Sequence, residues 1–292
     1  MISPPFILAR RFVAGPDPGS AIAAGRQLHA RGIRATFDLL GEDVLDREAA
    51  LRSAEANKQL LRQIPSEIER NISIKLTMFG LDISEEFCRE NVASLLDVAR
   101  EVSGFVRIDM EGSKHTQRTL DLFHRLRETY DNVGIVLQSY LRRTLDDIAG
   151  LGELRPNVRL CKGIYVEPPE VAYQGYEEVR QNFVAALEAL LDAGCYVGVA
   201  THDEVLIDAA ERMVAARELG PEDYEFQMLL GVRERRASEL VSAGHRVRIY
   251  VPFGEEWYSY SLRRLQENPK VAGYIAADTI GRVLTLGGRS GR

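Results

Sequence analysis

Short runs of β-branched and apolar residues recur along the chain and alternate with stretches whose apolar positions fall three or four apart. The runs lie at 33–40, 71–77, 105–110, 133–140, 158–165, 196–203, 224–231 and 246–253. Each has the length and composition of a parallel strand, mostly apolar on both faces. Helical spacing fills the intervals at 46–64, 84–101, 114–128, 142–152, 170–192, 203–217 and 232–243, and follows the last run at 255–267. A further helix is predicted at 18–31. Thr144 with Asp147, and Asp82 with Glu85, have the spacing of first-turn caps.

Eight consecutive βα units predict an α/β fold, a single (βα)8 barrel. A doubly wound open sheet would bind nucleotides through a glycine fingerprint. The nearest match, Gly150-Leu151-Gly152, stands at a helix end without its third glycine, and no Walker A loop occurs. No Gly/Ser linker divides the chain. The expected organisation is a lead-in at 1–32 carrying the extra helix, a catalytic barrel at 33–283 and a disordered tail at 284–292.

Barrel enzymes place their chemistry at the C-terminal strand ends, and the polar residues collect there. They are Asp38 then Glu42, Lys75 and Thr77, Asp109 and Glu111, Gln138, Arg159, Lys162 and Tyr165, Thr201-His202-Asp203, Gln227, and Tyr250. Strand alternation puts Ser73, Lys75 and Thr77 on one face, and Arg107, Asp109 and Glu111 on another. Lys75 and Asp109 could therefore meet inside the barrel, as a structural ion pair or a functional one. Arg159 and Lys162 have opposite parity, so a bulge or the strand end must re-aim one of them. In the last helix Tyr260, Arg263, Arg264 and Glu267 share one broad face. Paired guanidinium groups suit a carboxylate, although an RR dipeptide alone is usually just solvated.

Composition narrows the classes. The net charge of −6 argues against a nucleic-acid binder. Three cysteines without a CxxC pair give neither a zinc pattern nor a disulfide framework, and a reducing cytoplasmic setting fits them. No apolar run reaches membrane-spanning length.

The segments TFDLLGE, SIKLT, RIDMEGS, LQSY, RLCKGIY, GVATHD, FQMLLG, RIYVPFG and YSLRRLQEN, in this order over roughly residues 33–269, resemble the proline dehydrogenase family, and its monofunctional bacterial members in length. The resemblance implies a distorted barrel with FAD at the strand C-termini and the eighth barrel helix covering the active site. It implies oxidation of L-proline to Δ1-pyrroline-5-carboxylate by hydride transfer to flavin N5. Electrons then pass to a membrane quinone, with peripheral contact at the inner face of the cell membrane. Arg159 would sit near N5, and Gln138, Lys162, Thr201, His202 and Gln227 would hold the cofactor. Lys75, Arg263 and Arg264 match the carboxylate binders. Asp109, Tyr250, Tyr260, Leu229 and Tyr165 match the pocket wall, and Glu267 the acid orienting the arginines. Arg159, Asp109 and Lys75 form the catalytic set, and Glu42 would gate the mouth with Arg263. Alternatives are the same chemistry on hydroxyproline or an N-substituted proline, a Schiff-base aldolase using Lys75 or Lys162, and a non-catalytic binding protein. Hydroxyproline-type members tend to carry serine for one pocket tyrosine, so Tyr250 and Tyr260 together favour proline.

Overall fold

The computed structural model describes residues 11–151, 154–255 and 257. Its strands are β1 (Arg34–Leu39), β2 (Asn71–Ile74), β3 (Phe105–Ile108), β4 (Val133–Gln138), β5 (Asn157–Cys161), β6 (Tyr196–Ala200), β7 (Tyr224–Leu229) and β8 (Val247–Phe253). All pair in parallel with their sequence neighbours, and β1 pairs β8, so the sheet closes into a barrel. Helix α1 (Pro18–His29) precedes β1. Between strands run α2 (Arg47–Gln63), α3 (Glu85–Glu101), α4 (Ser113–Arg127), α5 (Thr144–Gly150), α6 (Tyr176–Asp192), α7 (Glu204–Ala216) and α8 (Glu234–Ser242). The helix predicted at 255–267 and the tail lie outside the described residues, Glu255 and Trp257 excepted.

The main apolar core lies between barrel and helices. Phe37, Ile72, Val106, Ile135, Leu160, Val199, Phe226 and Val251 pack with helical Leu60, Leu96, Phe123, Leu187, Ile207 and Leu240 in one cluster. The inner face is different. The sequence pattern suggested strands apolar on both faces, yet Arg107, Arg159, Glu225 and Arg248 are buried there, all in strand interiors. Arg159, Arg248 and Glu225 persist there because they are ion-paired, and Arg107 because it is hydrogen-bonded to Asn157 and the Ile135 carbonyl, since an unpartnered buried charge is costly.

Most strands end two to four residues before their predicted limits. The polar residues at those ends leave the ladder; Leu76–Phe79, for example, form a 3-10 turn. Helix α6 begins at Tyr176 rather than 170, because the preceding segment turns back to bridge Leu141 with Ala172. Two cap assignments need correction. Helix α3 is capped by Ser84, which accepts from Phe87 N, while Asp82 instead binds His115 and Arg118. Thr144 lies inside α5 and donates its hydroxyl to the carbonyls of Gln138 and Leu141, and Asp147 accepts from Arg143.

Candidate active site

Arg159 occupies the barrel axis, 6% exposed, and each of its nitrogens has a partner. Nε donates to Gln227 Oε1 at 2.5 Å, Nη1 to Asp109 Oδ1 at 2.7 Å and Nη2 to Ser73 Oγ at 3.1 Å. Tyr250 donates its hydroxyl to the other Asp109 oxygen at 2.7 Å, and its ring lies under the guanidinium, 5.0 Å from the centroid. Side chains from β2, β7 and β8 and from the residue just past β3 thus hold one cation in a fixed plane, and a guanidinium has five N–H groups, more than these contacts use.

Lys75, just past β2, points to Asp38 at the end of β1, with Nζ 3.2 Å from Oδ1. Asp38 is buried, and that burial, with Asp109 nearby, raises its pKa despite Lys75. The ion pair foreseen between Lys75 and Asp109 is therefore divided: Lys75 takes Asp38, and Asp109 takes Arg159. Glu111 turns away from the axis and accepts from Thr77 N and Oγ1 at 3.1 and 2.6 Å, pinning the turn after Lys75.

The strand end solves the parity problem of Arg159 and Lys162. β5 stops at Cys161, and Gly163 at φ +101° turns the chain over the Tyr140 ring, where any side chain would collide. Lys162 then reaches Asp203 at 2.5 Å. Asp203 also accepts from Arg180 through both oxygens, at 2.7 and 2.8 Å, and from the Tyr176 hydroxyl at 2.7 Å. Burial opposes its ionisation, but Arg180, Lys162 and Tyr176 hold its pKa well below the usual carboxylate range. The Thr201 hydroxyl accepts from Asp203 N.

His202 accepts from Leu229 N at Nε2, 3.0 Å away. A backbone donor leaves Nε2 without a proton, so the neutral ring carries its hydrogen on Nδ1. Burial, then the neighbouring Arg233 and Lys162, push its pKa down to about 4. Gln138 donates to Met110 O at 3.2 Å, and its Oε1 is buried with no partner among the described residues. The mouth therefore offers an orphan acceptor, an imidazole N–H, a pinned guanidinium and a salt-bridged lysine: a site for a polar, anionic ligand.

The sequence model for the family described as proline dehydrogenase matches residues 21–277. The chain is 37% identical over 268 residues to "Proline dehydrogenase 1" of Bacillus subtilis, covering 91% of this chain and 89% of the relative. It is 39% identical over 277 residues to "Proline dehydrogenase" of Deinococcus radiodurans, covering 92% and 88%. The chain belongs to the proline dehydrogenase family. Among solved structures it resembles proline utilization A (PutA) from Bdellovibrio bacteriovorus inactivated by N-propargylglycine, with TM-score 0.82 and 26% identity over 89% of this chain. It spans about a third of that longer protein, 32%.

In this proline dehydrogenase family member the described site residues converge on one barrel mouth. Tyr165 packs with Tyr140 and Leu141, and Leu229 with Leu40 and Val232. Glu42 stands half-buried in the loop after β1. Tyr260, Arg263, Arg264 and Glu267 lie outside the described residues, and with them the gate contact expected of Glu42. Sequence reasoning placed Asp38 and Asp203 among the polar strand ends without giving them a role, and it missed Tyr176, Arg180, Glu225 and Arg248. The available signal was a charge in an otherwise apolar strand, as in YEFQML and VRIYVPF.

Proposed function

We propose that this proline dehydrogenase uses FAD to oxidise L-proline to Δ1-pyrroline-5-carboxylate and passes the electrons to a quinone. The observation carrying this reading is the Arg159 centre, a guanidinium fixed by Gln227, Asp109 and Ser73 near a Gln138 Oε1 that has no partner among the described residues. The residues present fit the cofactor: Gln138 Oε1 is a buried acceptor with no partner among the described residues, the neutral His202 ring carries its N–H on Nδ1, and Lys162 and Thr201 lie close by. Bound there, FAD would supply the two-electron acceptor for the hydride.

In the substrate, C5 gives up a hydride and the nitrogen a proton, and the nitrogen lone pair forms the C=N bond. Lys75, oriented by Asp38, takes one side of the proline carboxylate; Arg263 and Arg264, which lie outside the described residues, are the further carboxylate binders that the family resemblance implies. Clamping the carboxylate fixes the ring's orientation, which is the larger part of the protein's contribution to such a step. Asp109 and Tyr250 form the wall beside Arg159. Arg159 stabilises negative charge that develops beside it. The aldolase alternative loses ground because Lys75 and Lys162 are both salt-bridged, to Asp38 and Asp203. No described helix is long and apolar enough to cross a membrane; in this reading the membrane quinone is met by peripheral contact at the inner face of the cell membrane.

The test is to incubate the FAD-loaded protein with L-proline and a soluble quinone. A product two hydrogens lighter than proline, with one quinone reduced per product, is expected. Turnover of hydroxyproline or N-methylproline in preference to proline would overturn the substrate assignment.

A further inference from the structure

Below Arg159 lies a second polar layer that the reaction, as described, does not use. Glu225 and Gln227 are both on β7 and both face inward. Glu225 Oε1 accepts from Gln227 Nε2 at 2.6 Å and from Arg248 Nε at 2.7 Å. Arg248 also donates to Ala35 O and to Glu69, each at 2.8 Å. Arg107 completes the layer through Asn157 and the Ile135 carbonyl.

The chemistry of this chain is directional. Glu225 as a carboxylate can only accept, and the Arg159 guanidinium can only donate. A glutamine between them has one orientation that satisfies both, with nitrogen toward Glu225 and oxygen toward Arg159. The Gln227 amide is therefore fixed by the carboxylate below it, and Arg159 Nε by the amide. Gly198 on β6 makes the room: in register with both Arg159 and Glu225, it would place a Cβ 2.4 Å from Gln227 Nε2.

We propose that Glu225 is a positioning residue for proline oxidation, acting through Gln227 to hold the Arg159 guanidinium where the flavin meets it. This rests on the placement of Arg159 beside the flavin proposed above. Burial opposes ionisation of Glu225, yet Arg248 and Gln227 hold its pKa down at about 2, so the carboxylate is present at every working pH. Its second oxygen, Oε2, has no partner among the described residues. Both functional hydrogen bonds thus converge on Oε1, and Glu225→Gln can keep them with its own amide oxygen.

The test compares Glu225→Ala, Glu225→Gln, Gln227→Leu and Arg159→Met, each loaded with FAD. The readouts are the rate constant for flavin reduction at saturating proline, the flavin midpoint potential, and the Kd of L-tetrahydrofuran-2-carboxylate, which has oxygen for the ring nitrogen. A fourth readout needs no cofactor: solvent exchange of the Arg159 Nε–H in the apoprotein, its NMR signal identified by its loss in Arg159→Met. Misplacing a group beside the reacting atoms by about an ångström slows chemistry roughly 10- to 100-fold. That loss is expected in Glu225→Ala and Gln227→Leu, with a more negative potential, at least tenfold faster Nε–H exchange and an unchanged analogue Kd. Glu225→Gln is expected to recover the rate to within about threefold of wild type. If Glu225→Ala does not fold, Gln227→Leu, which leaves the Glu225–Arg248 pair intact, carries the test. Normal reduction rates in both variants while Arg159→Met is slow would overturn the proposal alone. Glu225→Gln as damaged as Glu225→Ala would also overturn it, because charge rather than orientation would then matter. A normal rate and potential in Arg159→Met would overturn the placement of Arg159 at the flavin, and the proposal with it.

Discussion

Asp203→Asn should destabilise the protein more than any single surface ion pair does. The side chain is 6% exposed, and Lys162, Arg180 and Tyr176 all donate to it. Asparagine keeps the shape but removes the charge, stranding two cations against each other. Removing one partner of a buried ion pair costs roughly 3–5 kcal/mol. Lys162 and Arg180 keep 24% and 20% of their side-chain surface in solvent, so water screens part of the loss. About 2–3 kcal/mol is expected at pH 7. At roughly 2–4 °C per kcal/mol for a chain of this size, the apoprotein Tm should fall by about 4–12 °C. The pH dependence follows from the lowered pKa of Asp203. Its contribution is complete above the unfolded-state value of 3.8 and is lost only as pH falls from there through the lower folded value. Wild type and variant should therefore differ equally at pH 5 and 8. Adding Arg180→Met to Asp203→Asn should cost less than the sum of the two single changes, since both break the same contacts. Denaturant melts of the four proteins decide the matter. A loss below about 0.5 kcal/mol for Asp203→Asn, the size of an exposed pair, would refute the reasoning.

His202→Gln can still accept from Leu229 N but does not titrate. Because burial holds the His202 pKa at about 4, below its ordinary 6.5, the wild type should lose stability relative to the variant as pH falls from 6.5 toward 4; parallel urea melts at pH 7 and 5 would show it. Gly198→Ala places a methyl 2.4 Å from Gln227 Nε2 and should cost about 1–3 kcal/mol by overpacking, read from the urea midpoint. Glu42→Ala should leave Tm nearly unchanged, since a partly exposed pair contributes roughly 0–1 kcal/mol, while changing single-turnover flavin reduction if Glu42 gates the mouth with Arg263; an unchanged rate counts against the gate.

The barrel was legible because its outward strand faces must be apolar to meet the helices, and that pattern survives in Phe37, Ile72, Val106 and Phe226. Strand limits were overrun where Lys75, Asp109 and Lys162 continue an apolar-looking run after the ladder has ended. Gathering polar residues at strand ends pointed to the mouth, yet parity alone could not say which acid each cation meets. Lys75, just past β2, meets Asp38 of the neighbouring β1. The Asp203 cluster was hidden because Arg180 and Tyr176 belong to α6, where arginine and tyrosine on a helix read as surface. The inner layer of Arg107, Glu225 and Arg248 was visible only as charges in the wrong places for a buried strand.

The central claim is that the Arg159 mouth holds FAD that proline reduces. The most direct measurement is a visible spectrum of the purified, FAD-loaded protein, taken without oxygen before and after L-proline is added. A flavin spectrum that bleaches with proline in wild type, and does so far more slowly in Arg159→Met, is the expected result. A protein that cannot be loaded with FAD, or one whose flavin stays oxidised in saturating L-proline, would contradict it.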